Sequence, residues 1–157
     1  MKDFTIETQY CQLALEELSD SERELVAHAR KATDGSYSPY SHFRVGAAVR
    51  LADGTIVVGA NQENAAYPSG LCAERVALFA ASSQHPHQAI VAIAIAARND
   101  DGEEISAPPC GACRQVLIEY EHRHAHPIQV LLYSSCGVVR IPSAQVLLPL
   151  AFTGDGM

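Results

Sequence analysis

Two short segments carry residue types suited to metal and proton chemistry: Cys72-Ala-Glu74-Arg75 and Pro109-Cys110-Gly-Ala-Cys113-Arg114. Zinc accepts thiolates, and catalytic zinc sites use three protein ligands and leave one position open. Cys110 and Cys113 are three residues apart, so they share a face of a helix. Cys72 supplies a third sulfur. Both segments open helical stretches, and the positive end of a helix favours thiolate over thiol. Glu74 is the acid–base group of the set. It lies two positions after Cys72, which on a regular helix turns the two side chains about 200° apart. Both face one metal only if Cys72 stands at an irregular helix start, and Gly70 just before it permits one.

Charge adds a requirement. A zinc ion with three thiolates carries a net charge of about −1, which weakens its pull on water. Arg75 lies three residues after Cys72, and Arg114 four after Cys110. Each can reach back along its helix to the sulfurs and restore part of that pull.

The C-x-x-C pair alone fits half of a structural zinc site or a redox pair equally well. Adding Cys72-x-Glu74 changes the reading. The combined pattern matches the zinc deaminase signature H-x-E…P-C-x-x-C in its all-cysteine form, where the Glu moves protons and is not a ligand. Cys11 lies outside both motifs, and Cys136 sits in a turn between strands. His122, His124 and His126 read as an exposed segment at a helix end, not a metal tract.

The elements that must position these residues are legible from pattern. Residues 20–32 form a first helix, capped by Asp20 or Ser21, with Leu25, Val26 and Ala29 as its apolar stripe. Phe43, Val45, Ala47 and Val49 alternate as in a strand, and Asp53-Gly54 turns the chain into a second strand, Thr55 to Ala60. Cys72 to Ser82 is a helix, ended by His85-Pro-His87. Ala89 to Ala97 is a strand buried on both faces. Cys110 to His122 is a third helix. Ile128 to Tyr133 and Val138 to Ile141 are two more strands, and Ser143 to Leu148 a short final helix. Helices between strands predict an α/β layered domain with a mixed five-stranded sheet.

The chain has 157 residues, 48% of them apolar, which suits a single domain over 1–157. Its net charge is −7, its lysines are Lys2 and Lys31, and no basic cluster appears. A nucleic-acid polymer is therefore a poor partner, and a small neutral molecule a better one. The start of the chain lacks the pattern of a signal peptide, and the longest apolar run, nine residues, is too short to cross a bilayer. Five cysteines in a soluble, cytoplasmic chain point to metal binding or catalysis, not disulfides.

Further stretches make the chain recognisable: Pro39-Tyr-Ser-His-Phe43-Arg-Val-Gly-Ala-Ala48, Asn61-Gln-Glu63-Asn64-Ala-Ala-Tyr67-Pro68, Pro109-Cys-Gly-Ala-Cys-Arg-Gln-Val116 and Leu147-Leu-Pro149. With Cys72-Ala-Glu-Arg75 they resemble the small, homotetrameric cytidine deaminases over residues 20–152. Residues 1–19 then read as an N-terminal extension, 20–152 as the catalytic core and 153–157 as a tail. The resemblance implies a three-layer α/β/α fold and one Zn²⁺ per subunit, held by Cys72, Cys110 and Cys113. It implies hydrolysis of cytidine and 2′-deoxycytidine, with Glu74 as proton carrier. Asn61 and Glu63 would bind the ribose, Phe43 would pack on the base, and Ala73 would contact the substrate. Ala65, Tyr67 and Phe152 would reach into a neighbouring subunit's site. Gln62 departs from the resemblance, since relatives often have an aliphatic residue there. Two other readings stay open on the residues alone: a deaminase of another small nucleoside or heterocycle, and a zinc-stabilised non-catalytic domain.

Overall fold

The structure, a computed structural model, describes residues 1–155. The last two residues of the expected tail, 156–157, lie outside the described residues. In chain order the elements are β1 (Cys11–Leu13), α1 (Asp20–Ala32), β2 (Arg44–Leu51), β3 (Ile56–Ala60), α2 (Ala73–Gln84), β4 (Ile90–Arg98), β5 (Glu104–Ile105), α3 (Gly111–His124), β6 (Gln129–Ser134) and β7 (Gly137–Ile141). The expected final helix is a 3-10 turn, Ala144–Leu147.

α1 covers 20–32 as expected, while α2 and α3 begin one residue after their expected starts, Cys72 and Cys110. Ser19, not Asp20 or Ser21, caps α1: its hydroxyl accepts from Glu22 N, and the Glu22 carboxylate accepts from Ser19 N. The reciprocal Ser-x-x-Glu pairing satisfies two N–H groups at once, which a lone Asp20 cannot do.

The strands form one sheet in the order β1-β7-β6-β4-β2-β3, with β5 beside β4. β4 and β6 run parallel, and the other pairs are antiparallel. The sheet is mixed as expected, but it has seven strands, not five. The additional two are β1, three residues long, and β5, two residues long. Neither is long enough to show a two-residue period. Each forms because a neighbouring strand offers it unpaired backbone groups. β1 also brings part of the N-terminal extension into the fold.

Strand parity builds the three layers. Ala47, Val49, Ile93, Ile95, Val130 and Leu132 pack with Ala77, Leu78 and Leu117 of α2 and α3. Their neighbours in sequence, Ala48, Ala94 and Leu131, point the other way, onto Leu25, Val26 and Ala29 of α1. Helices therefore cover both faces of the sheet, and β4 is apolar from Ile90 to Ala97 for that reason. The approach of α1 is close: a Cβ on Gly46 would lie 2.2 Å from Ala29 O. Only glycine fits there. Among the described residues, no helix is long and apolar enough to cross a membrane.

Candidate active site

The two cysteine motifs meet because α2 and α3, on the same side of the sheet, begin side by side. Cys72 is the N-cap of α2, in extended conformation (φ −69°, ψ 152°). Cys110 is the N-cap of α3, likewise extended (φ −67°, ψ 168°). The irregular start required for Cys72 and Glu74 to face one point is thus present. Neither cap side chain accepts a backbone N–H of its own helix, so both sulfurs stay available beside the unpaired N–H groups of a helix end.

Cys72 Sγ lies 3.8 Å from Cys110 Sγ, and Cys110 Sγ lies 3.5 Å from Cys113 Sγ. All three sulfurs fall within 4.8 Å of one another. Tetrahedral zinc with Zn–S bonds of about 2.3 Å needs sulfurs about 3.8 Å apart, so the cluster fits the ion. Electrostatics point the same way. The Cys72 pKa is lowered to about 5, first by the hydrogen bond from Cys113 and then, against burial, by Arg75. Cys113 is pushed in the opposite direction by the Cys72 sulfur first, then by burial. Without a cation the two share one proton; a divalent cation replaces it.

Arg75 Nη2 donates to Cys72 Sγ at 3.8 Å. Its guanidinium charge also faces Cys113, and both sulfurs raise its pKa. Its Nε is buried without a partner among the described residues. Arg114 departs from expectation. It does not turn to the sulfurs: Nε donates to Pro109 O and Nη1 to Leu147 O, each at 2.8 Å. Spacing allowed a path back to Cys110, but two carbonyls stand nearer to the guanidinium.

Glu74 is the buried carboxylate of the site, 4% exposed. Its pKa is raised, first by burial and then by the Cys72 charge. Cys72, Glu74, Arg75 and Cys110 form one wall of a cleft of about 780 Å³. Asn61, Glu63, Phe43 and Tyr67 line the same cleft. The size suits one small heterocyclic ligand.

Asn61 directly follows β3 and clamps the loop opposite. Its Oδ1 accepts from Val45 N at 2.8 Å and from Ser36 Oγ at 2.5 Å, and its Nδ2 donates to Phe43 O at 2.9 Å. One Nδ2 proton is left for a ligand. Glu63 accepts from Tyr40 N at 2.9 Å and Ser41 N at 3.2 Å through a single oxygen, Oε2. The Ser41 side chain first, then these two N–H groups, hold its pKa below the ordinary carboxylate value. The side chain of Gln62 bonds Gly35 O at 3.0 Å and so ties this loop to the 3-10 turn that follows α1. Tyr67 is 73% exposed at the mouth, its ring 5.8 Å from that of Tyr40.

Ala65, Ala73 and Phe152 do not line the cleft of a single chain. Ala73 is fully buried as the first residue of α2, while Ala65 and Phe152 are exposed. Sequence reasoning missed Tyr40 and Ser41, whose backbone orients Glu63, and Ala107 and Pro108, which form part of the wall. The double proline before Cys110 was the available signal for the wall. Nothing local marks a backbone N–H as a future donor.

The reading as a closed structural zinc site needs a fourth ligand. Among the described residues, the one metal-capable cluster holds Cys72, Cys110 and Cys113 alone. Cys11 and Cys136 are exposed and outside it. His122 lies 3.2 Å from Asp155, and His124 stacks on Tyr120, so the histidine tract is not part of the cluster.

Comparison with known proteins agrees with this geometry. Residues 19–126 match the family described as the cytidine and deoxycytidylate deaminase zinc-binding region. The chain is 42% identical to a cytidine deaminase of Halalkalibacterium halodurans over 133 residues, 85% of this chain and 95% of that protein. The crystal structure of a cytidine deaminase from Burkholderia pseudomallei superposes with a TM-score of 0.71 at 41% identity, over 82% of this chain and 97% of that one. The cytidine deaminase of Mycobacterium tuberculosis superposes with a TM-score of 0.64 at 33% identity, over 84% and 97%. The chain belongs to the zinc-binding cytidine and deoxycytidylate deaminase family.

Proposed function

We propose that the chain hydrolyses cytidine and 2′-deoxycytidine to the corresponding uridines and ammonia, with one zinc ion per subunit. The observation that carries this reading is the three-sulfur cluster beside a buried Glu74, at the wall of a cleft sized for a small ligand. When bound, zinc acts as a Lewis acid that makes water acidic near neutral pH. Glu74 takes the water proton as the base carbon C4 is attacked, and hands it to the ring nitrogen N3. It then carries the proton of the new C4 hydroxyl to the departing amine, which leaves as ammonia, so one carboxylate serves as base and acid in turn. Glu63 and the remaining Asn61 proton hold the ribose hydroxyls, and Phe43 packs on the base. Arg75 offsets the charge of the thiolates.

In this reading the enzyme is a cytoplasmic homotetramer of pyrimidine salvage. Ala65, Tyr67 and Phe152 complete neighbouring sites; Ala65 and Phe152 are exposed outside the cleft of the single chain, and Tyr67 is exposed at the mouth of its own. Ala73, the first residue of α2 beside Cys72, contacts the substrate. The partner is a small nucleoside and not a polymer, consistent with the net charge of −7.

The direct test is a substrate panel. Zinc-loaded protein is incubated separately with cytidine, 2′-deoxycytidine, cytosine, adenosine and guanine, and ammonia and ring absorbance are followed. Turnover is expected for the two cytidine nucleosides. Turnover of a purine or free base alone would overturn the assignment. Arg75→Ala is expected to keep one zinc per chain but to lower kcat about 10- to 100-fold, the range for groups that orient or neutralise metal ligands. Zinc content and kcat, measured on the same sample, decide it.

A further inference from the structure

The wall formed by Ala107 and Pro108 has an unusual support problem. Pro108 and Pro109 have no N–H, so their backbone can be hydrogen-bonded only through its carbonyls. Arg114 supplies the grip: it donates to Pro109 O and, with its other arm, to Leu147 O. Leu147 belongs to the C-terminal segment, which is itself fixed on α3. Glu121, 8% exposed, accepts from Ala144 N at 2.7 Å, from Gln145 N at 3.1 Å and from Ser143 Oγ at 2.9 Å. The same carboxylate accepts from Ile128 N at 2.6 Å, just before β6. Gln115 Nε2 donates to Phe152 O at 2.9 Å, further along.

We propose that Arg114 and Glu121 form a brace that positions the substrate-cleft wall. The buried carboxylate anchors the C-terminal segment to α3 and β6, and the guanidinium carries that anchorage to Pro109. The brace rests on the proposed function for its kinetic effect but not for its geometry. Arg114 is thus a positioning residue. It touches neither sulfur nor cleft, so its loss moves the wall and leaves the electronic character of the metal site alone.

The test compares wild type, Arg114→Met and Arg114→Lys as full-length, metal-loaded proteins. Arg114→Met keeps the bulk of the stem and loses both donors. The expected result is a rise in KM for cytidine of about tenfold, the effect of one charge-assisted hydrogen bond. kcat changes less than KM, one metal per chain is retained, and the Co²⁺-substituted protein keeps the wild-type absorption spectrum. Amide exchange at residues 144–148 becomes at least about tenfold faster. Arg114→Lys retains one donor and lies between the two in both KM and exchange. It also stands in if Arg114→Met does not fold. An unchanged KM, an unchanged exchange rate, or a shifted Co²⁺ spectrum overturns the brace. If wild type itself fails to deaminate cytidine, the functional reading falls, and the exchange rates alone decide the brace.

Discussion

Glu74→Gln is expected to give a folded, zinc-loaded protein that deaminates cytidine at least about a thousandfold more slowly than wild type. The size follows from the number of transfers. One positioned acid or base contributes about 10²- to 10⁴-fold, and Glu74 is asked to act in successive steps. Gln keeps the shape of the side chain and cannot accept or release a proton. The fold should tolerate the change. Glu74 is 4% exposed, and burial is the main reason its pKa is raised, so the charged form is already disfavoured where it sits. A raised carboxylate pKa means that ionisation above the ordinary carboxylate range costs stability in the metal-free protein. The neutral amide removes that cost, and the metal-free Tm should not fall. Turnover, zinc content and Tm together check the assignment. Substantial residual turnover refutes the proton-carrying role, and loss of zinc would make Glu74 a ligand instead.

How far the site could be read beforehand depends on the range of each interaction. The Cys72–Glu74 geometry was legible, because helix periodicity alone demands an irregular start, and the structure has one. The layering was legible too, since the continuous apolar run of β4 can be satisfied only by cover on both faces. Arg114 was not. Its i,i+4 spacing offers Cys110, and only the returning C-terminal segment brings Leu147 O within reach. Glu121 shows the same limit more sharply. In sequence it is an ordinary charged residue near a helix end, yet it is buried because Ile128, Ser143, Ala144 and Gln145 converge on it with donors. Short edge strands such as β1 and β5 are likewise consequences of neighbours, not of their own residues. Asn61 reads as a ribose-binding residue by resemblance, and the structure adds that it clamps the Phe43 loop.

Removing the metal is the second large effect. Prolonged dialysis against a chelator should abolish turnover, and stoichiometric zinc should restore it. Cys113→Ser should do the same irreversibly, because a hydroxyl replaces a buried thiolate ligand that is 0% exposed. Acid should act with the chelator, and the proton balance gives the sign. In the metal-free site Cys113 stays protonated across the neutral range, held there by the neighbouring Cys72 sulfur and by burial. Zinc must displace that proton, so apparent affinity falls about tenfold for each pH unit lost, from this residue alone. Cys72 adds nothing while pH stays above about 5, where it is already thiolate. Below that it takes up a proton of its own, and the contribution of these two residues steepens to about a hundredfold per unit. Zinc release followed with a metal-sensitive dye should therefore show a bend near pH 5, the value set by Cys72. A release curve independent of pH would mean that the three sulfurs do not hold the ion as thiolates.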